Sequence, residues 1–138
     1  IHGGKAVVSA GAFARVSGNG AGMGELASAP DGNLDLWVQI QAVPSIDVSR
    51  VEVLVNCDRV TTVATTDPSG VIKFDDTISL SLDQDAYVVV LAFGEGYLPA
   101  GLPWYDPTGT PRVTTNPIYV DVDGDGAFTA PGGKSCAL

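Results

Sequence analysis

From Leu34 to Ala42 the chain alternates apolar and polar residues without a break. Leu34, Leu36, Val38, Ile40 and Ala42 fall on one side of an extended strand, and Asp35, Trp37, Gln39 and Gln41 on the other. Successive side chains of a β-strand point to opposite faces, so this run is a strand with one buried and one wet face. The same period returns along the chain, while helical periodicity is nearly absent. Val51, Val53 and Val55 predict a second strand with its apolar side inward. Asn56-Cys57-Asp58 reads as a turn, and Arg59 to Thr65 as a more polar returning strand. After the turn residues Asp67-Pro68-Ser69-Gly70, the run Thr77 to Leu82 alternates again, with Ile78, Leu80 and Leu82 inward. Ala86 to Phe93 is apolar on both faces, which predicts a central strand flanked on both sides. Residues 94–111 hold four prolines and read as a long loop, and Ile118 to Val122 as the last strand.

Two short strands are also expected at Ala6–Val8 and Ala12–Val16. Seven or eight short strands separated by turn residues are best satisfied by two packed antiparallel sheets, so the expectation is an all-β, immunoglobulin-like sandwich. Residues 1–30 read as a loose N-terminal strand and linker segment packing on the sandwich, and residues 31–138 as the sandwich itself, one domain overall. The opening Ile1-His2 carries neither an initiator methionine nor a signal pattern, and the chain reads as cut from something longer.

Charge narrows the function classes. Seven Lys and Arg stand against sixteen Asp and Glu, a formal net charge of −9. Such a surface repels nucleic acid and anionic lipid and favours cations. No apolar run approaches the roughly 20 residues that cross a bilayer, so no membrane insertion is expected. Cys57 and Cys136 are too few for a disulfide framework and match no zinc spacing. They are either one disulfide or two free thiols. A bridge would be worth roughly 4 to 5 kcal/mol in the chain-entropy account and would imply an oxidising compartment.

Three runs, "SRVEVLVNCDRV", "DDTISLSLDQDAYVVVLAFGEG" and "VTTNPIYVDVDGDGAFTAPGG", resemble the C-terminal β-sandwich of bacterial PHP-like metallohydrolases of the CehA/McbA type. The opening "GGKAVVSAGAFARVSGNGAGMGE" is similar to the segment linking the catalytic barrel of that family to its sandwich. The most specific part is the run Asn116 to Gly126; the alternating strands are generic. The family's catalytic metals sit on barrel residues that have no counterpart in this sequence, so the resemblance implies an accessory domain without its enzyme. Cys57 departs from the pattern, since Gly would suit that turn better, and suggests a tether to Cys136 or a locally different turn.

The sharpest local motif is Asp121-Val122-Asp123-Gly124-Asp125-Gly126, the first half of an EF-hand-type loop. Calcium takes six to eight hard oxygens, and carboxylates at alternate positions can curl around one ion. Asp121, Asp123 and Asp125 are the candidate ligands, with the backbone carbonyl of Ala127 next and Thr129 at the ninth position. The glutamate expected at position twelve is replaced by Gly132, and Asp106 or Glu95 are candidates to complete the shell. The plain alternative is an Asp/Gly turn ending the last strand; another cation is the third. Asp75-Asp76 and Asp83/Asp85 read as solvated turn residues flanking a strand, which also discourage edge-to-edge aggregation. Trp37, Tyr97, Trp104 and Tyr105 are candidates for a surface that stacks on sugar or anchors a protein, against the alternative that the loop aromatics cover an end of the sandwich.

The expectation is therefore a non-catalytic accessory or docking sandwich of a larger, exported metallohydrolase, carrying a structural Ca²⁺. Its partner would be the parent catalytic domain. A self-assembling extracellular subunit, its copies joined by addition of the N-terminal strand and by calcium, is the alternative. A carbohydrate-binding module is the third reading.

Overall fold

The inward row of the most regular alternation becomes the centre of the core. A computed structural model describes residues 2–96 and 109–132. Within it, β5 (Asn33–Ala42) buries Leu34, Leu36, Val38 and Ile40 completely. Facing them from the opposite sheet are Val51 and Val53 of β6 (Arg50–Val55), Val88 and Val90 of β9 (Ala86–Phe93), and Ile118 and Val120 of β11 (Ile118–Asp121). The remaining strands are β1 (Val7–Ala10), β2 (Ala12–Gly18), β3 (Ala21–Gly22), β4 (Leu26–Ser28), β7 (Asp58–Ala64), β8 (Ile72–Ser81) and β10 (Arg112–Thr115).

Eleven strands among the described residues form two sheets, an all-β sandwich. One sheet runs β3-β2-β5-β8. The other is centred on β9. One edge of β9 pairs antiparallel with β6, which carries β7. Along its other edge lie β10 and β11 end to end, pairing Arg112 with Phe93 and Ile118 with Val88. Asn116-Pro117 interrupts that edge, since proline has no N–H to give the ladder. β1 then adds antiparallel to β10, and β4 adds parallel to β11. With β5 and β8 in one sheet and β6, β9 and β10/β11 in the other, the strands divide as in immunoglobulin-like sandwiches. The strand count exceeds the seven or eight expected because β3, β4 and β10 are too short or too polar to give a periodic signal.

Residues before 30 are woven into both sheets. The chain crosses from one sheet to the other at Gly11, where φ is 87°. β8 begins at Ile72 and not at Thr77, so Asp75 and Asp76 lie within a strand and not in a turn, a correction to the sequence reading. Lys73 is the unpaired residue of a bulge in β8; it is buried, and its Nζ donates to the Pro68 carbonyl at 2.7 Å. No helix among the described residues is long and apolar enough to cross a membrane.

The β6–β7 hairpin closes through a two-residue turn, Asn56-Cys57, with φ of 49° and 73°. Two positive φ angles are what the twist of a tight hairpin requires, and glycine is the usual second residue. A side chain in that region costs on the order of 1 kcal/mol, so the objection to Cys57 on sequence grounds has a structural basis. The turn is clamped onto the start of β9. Asn56 N donates to the Tyr87 carbonyl at 3.1 Å, Tyr87 N to Asn56 Oδ1 at 3.0 Å, and Asn56 Nδ2 to the Asp85 carbonyl at 3.4 Å. Asn56→Ala should lower stability by about 2 to 3 kcal/mol, from two lost side-chain hydrogen bonds and an alanine at positive φ. Denaturant unfolding checks this; a loss below about 0.5 kcal/mol would mean that the clamp is dispensable.

Candidate metal centre

The end of the sandwich next to this hairpin gathers carboxylates from two strands. β11 ends at Asp121, and β9 begins one residue after Asp85. Because Val120 pairs with Ala86, the antiparallel register sets Asp121 opposite Asp85. Asp123, two residues into the loop, completes the group. One carboxylate oxygen from each of Asp85, Asp121 and Asp123 lies within 4.8 Å of the other two. Asp85 and Asp121 are buried, at 5% and 3% exposure, while Asp123 is open to water.

Backbone N–H groups hold these carboxylates in place. Asp121 Oδ1 accepts from Gly124 N at 2.7 Å and Oδ2 from Gly126 N at 2.9 Å, curling the loop around its first residue. Gly124 and Gly126 have φ of 77° and 82°, the region where glycine has no penalty. Asp123 Oδ1 takes Asp125 N at 3.1 Å. The loop's far limb returns to β9, where Asp85 Oδ1 accepts Val122 N at 2.8 Å and Oδ2 accepts Thr129 N at 2.7 Å. Phe128 anchors that limb, its ring 4.9 Å from that of Tyr119 and 6.4 Å from that of Tyr87. The N–H of Thr129, and after it that of Val122, hold the Asp85 carboxyl below its ordinary value. Burial acts in the opposite direction and does not outweigh them.

The donor set suits a hard cation. Each carboxylate oxygen has two lone pairs, and an amide occupies only one. Oxygens on opposite sides of one calcium ion are about 4.6 to 5.2 Å apart, a span that accommodates the observed group. A depression of about 460 Å³, lined by Asp83, Asp85, Asp123 and Thr129 among others, gives access from solvent. This group of three aspartates, two buried and one exposed, could hold a metal ion.

The sequence candidates divide. Asp121 and Asp123 meet as expected. Asp125 does not join them; its Oδ1 takes Ala127 N at 2.8 Å. The N–H of Ala127 goes to Asp125 Oδ1 and that of Thr129 to Asp85 Oδ2. Asp85, read from sequence as a solvated turn residue, is a buried member of the group, which corrects that reading. Its only signal was the β9–β11 register, which no local pattern displays. Glu95 lies past the opposite end of β9, roughly 25 to 30 Å away, and cannot complete the shell. Asp106, Tyr97, Trp104, Tyr105 and Cys136 lie outside the described residues. Cys57 is disulfide-bonded, and its Sγ is 2.7 Å from the Tyr87 hydroxyl; a disulfide sulfur has no proton, so the phenol donates. Trp37 sits on the outer face of the β3-β2-β5-β8 sheet, half-buried, its Nε1 donating to Asp75 Oδ1 at 2.9 Å.

No family model, curated protein or solved structure matches this chain.

Asp85 sets a pH dependence whose sign can be worked out. Its folded value is depressed, so its contribution is complete above the ordinary aspartate value of 3.8 and is lost as pH falls below that toward the lowered folded value. Asp85→Asn presents an amide N–H₂ to one of the two N–H groups and should melt below the parent at neutral pH. The gap should narrow as the pH falls through the aspartate range. Thermal unfolding of both proteins from neutral to acid pH checks this, and a gap of constant size would remove Asp85 from the role.

Proposed function

We propose that this chain is a non-catalytic immunoglobulin-like module whose rim is organised by a structural calcium ion. It serves as an accessory or docking sandwich of a larger, exported protein, a metallohydrolase of the type its sequence resembles. The observation that carries the cation reading is the meeting of Asp85, Asp121 and Asp123. Calcium suits it better than magnesium. Calcium tolerates irregular shells and carboxylates already engaged elsewhere, while magnesium demands a near-ideal octahedron and gives up its waters reluctantly. Asp123, at the exposed side, leaves room for waters to complete the shell.

Support for a non-catalytic role comes from the same hydrogen bonds. Every carboxylate of the group accepts at least one backbone N–H, and Asp85 and Asp121 accept two each. Asp85, pinned by the N–H groups of Thr129 and Val122, is stabilised as an anion, which favours retaining a cation over shuttling a proton.

The test is thermal unfolding of chelator-treated protein with added calcium or magnesium, alongside the mass of the native particle by light scattering. Calcium should raise the midpoint saturably by several degrees, magnesium less, and Asp121→Asn should abolish the response. The mass should be that of one chain with and without chelator. An unresponsive midpoint would reduce the loop to an Asp/Gly turn. A large particle that falls apart on chelation would replace this reading with a calcium-dependent structural subunit.

A further inference from the structure

β8 pairs with β5 along its length, and its other edge has no strand partner among the described residues. Such an edge presents a row of free N–H and C=O groups to any further strand. The side chains of β8 that face the core are set by its register with β5. Phe74 stands opposite Ile40, Asp76 opposite Val38, Ile78 opposite Leu36 and Leu80 opposite Leu34. Phe74 and Leu80 are buried and Ile78 is half-buried, while Asp76 is exposed. One acid therefore interrupts an apolar row that packs into the sandwich, and it reaches water at an edge beyond which no strand lies among the described residues.

Asp76 also uses the edge directly. Its Oδ1 accepts the N–H of Thr77 at 2.7 Å, occupying a donor that a further strand would need. Asp75, on the other face, is committed elsewhere, to Trp37 Nε1 at 2.9 Å and Gln39 Nε2 at 2.8 Å. The rest of the edge favours association. Val71 and Ile72 at its start are exposed apolar residues, and Thr77, Ile78, Ser79 and Leu80 suit a strand.

We infer that Asp76 guards this edge against a second copy of the chain. An antiparallel strand pairs with itself about a twofold axis, so the natural occupant of β8 is another β8. In that pair each Asp76 would lose its route to water at the seam between the two sheets. A carboxylate buried without a partner opposes association strongly. Removing the acid leaves residues 75–81 as an open edge with an apolar inner row; ahead of them the bulged Lys73 already gives its carbonyl to the N–H groups of Thr66 and Asp67.

The experiment is light scattering and size exclusion on the full chain in chelator, so that no cation can bridge copies. Asp76→Val should shift the particle to about twice the parent mass, or higher, in a concentration-dependent way. Asp76→Thr, which leaves a polar side chain, decides the matter if the valine variant does not fold. Adding Thr77→Pro to Asp76→Val removes the outward N–H from the edge, where proline is tolerated, and should restore the parent mass. Asp75→Ala should leave the mass unchanged. The inference is overturned if both position-76 variants, with β-type circular dichroism, keep the parent mass at the highest concentration reached. It is equally overturned if the particle formed by Asp76→Val survives Thr77→Pro.

Discussion

Asp85 accepts the N–H groups of Val122 and Thr129, and these two bonds hold the loop after β11 against the start of β9. Much of the rim depends on that carboxylate. The first residues of β9 pair with β11 on one edge, and from Val88 onward β9 pairs with β6 on the other. The backbone at Asp85 and Tyr87 is gripped from the other side by Asn56, whose turn is held at positive φ by the hairpin it closes. Phe128, set between Tyr87 and Tyr119, fixes the far limb of the loop. The aspartates thus meet on a frame supplied by three separate segments of sequence.

How much of this was legible beforehand depended on whether a feature was local. The strands β5, β6 and β9 were readable because their apolar residues repeat at the period of a strand and their inward rows are buried. β10 was hidden, since Arg112-Val113-Thr114-Thr115 is brief and lies between prolines. The Asp75-Asp76 pair misled because two adjacent acids resemble a turn. In β8 one of them faces out, bonded to Trp37 and Gln39, and the other escapes across an open edge. The metal centre was half visible. Asp121 and Asp123 share a motif, but Asp85 is distant in sequence and joins them only through strand pairing. Asp125 belonged to the motif yet stands outside the group, its Oδ1 accepting the N–H of Ala127.

The acidity of the chain looks different once its carboxylates are located. Asp85, Asp121, Asp123, Asp125 and Asp67 accept backbone N–H groups in tight loops. Asp31 does the same for Asn33, whose side-chain and backbone donors hold its carboxyl below the usual range. Glu52 is buried on the outer face of its sheet between Arg50 and Arg59, at 3.0 and 3.4 Å. A net charge of −9 therefore does not describe a uniformly solvated surface. Much of it is structural, spent where a loop or a strand edge needs an acceptor that water would supply less well.

This bears on what a cation would do. The hydrogen bonds to Asp85 and Asp121 shape the loop before any ion arrives, and the core around Leu34, Leu36, Val38 and Ile40 is built from apolar side chains of both sheets. A site whose ligands are already held apart by amides loses little conformational freedom on binding. Its ion relieves repulsion among carboxylates that the fold has already brought together. On the proposed reading, then, calcium would tighten the rim without nucleating the sandwich. That separates this loop from small metal-dependent domains, in which the unbound chain is unfolded and binding energy is folding energy.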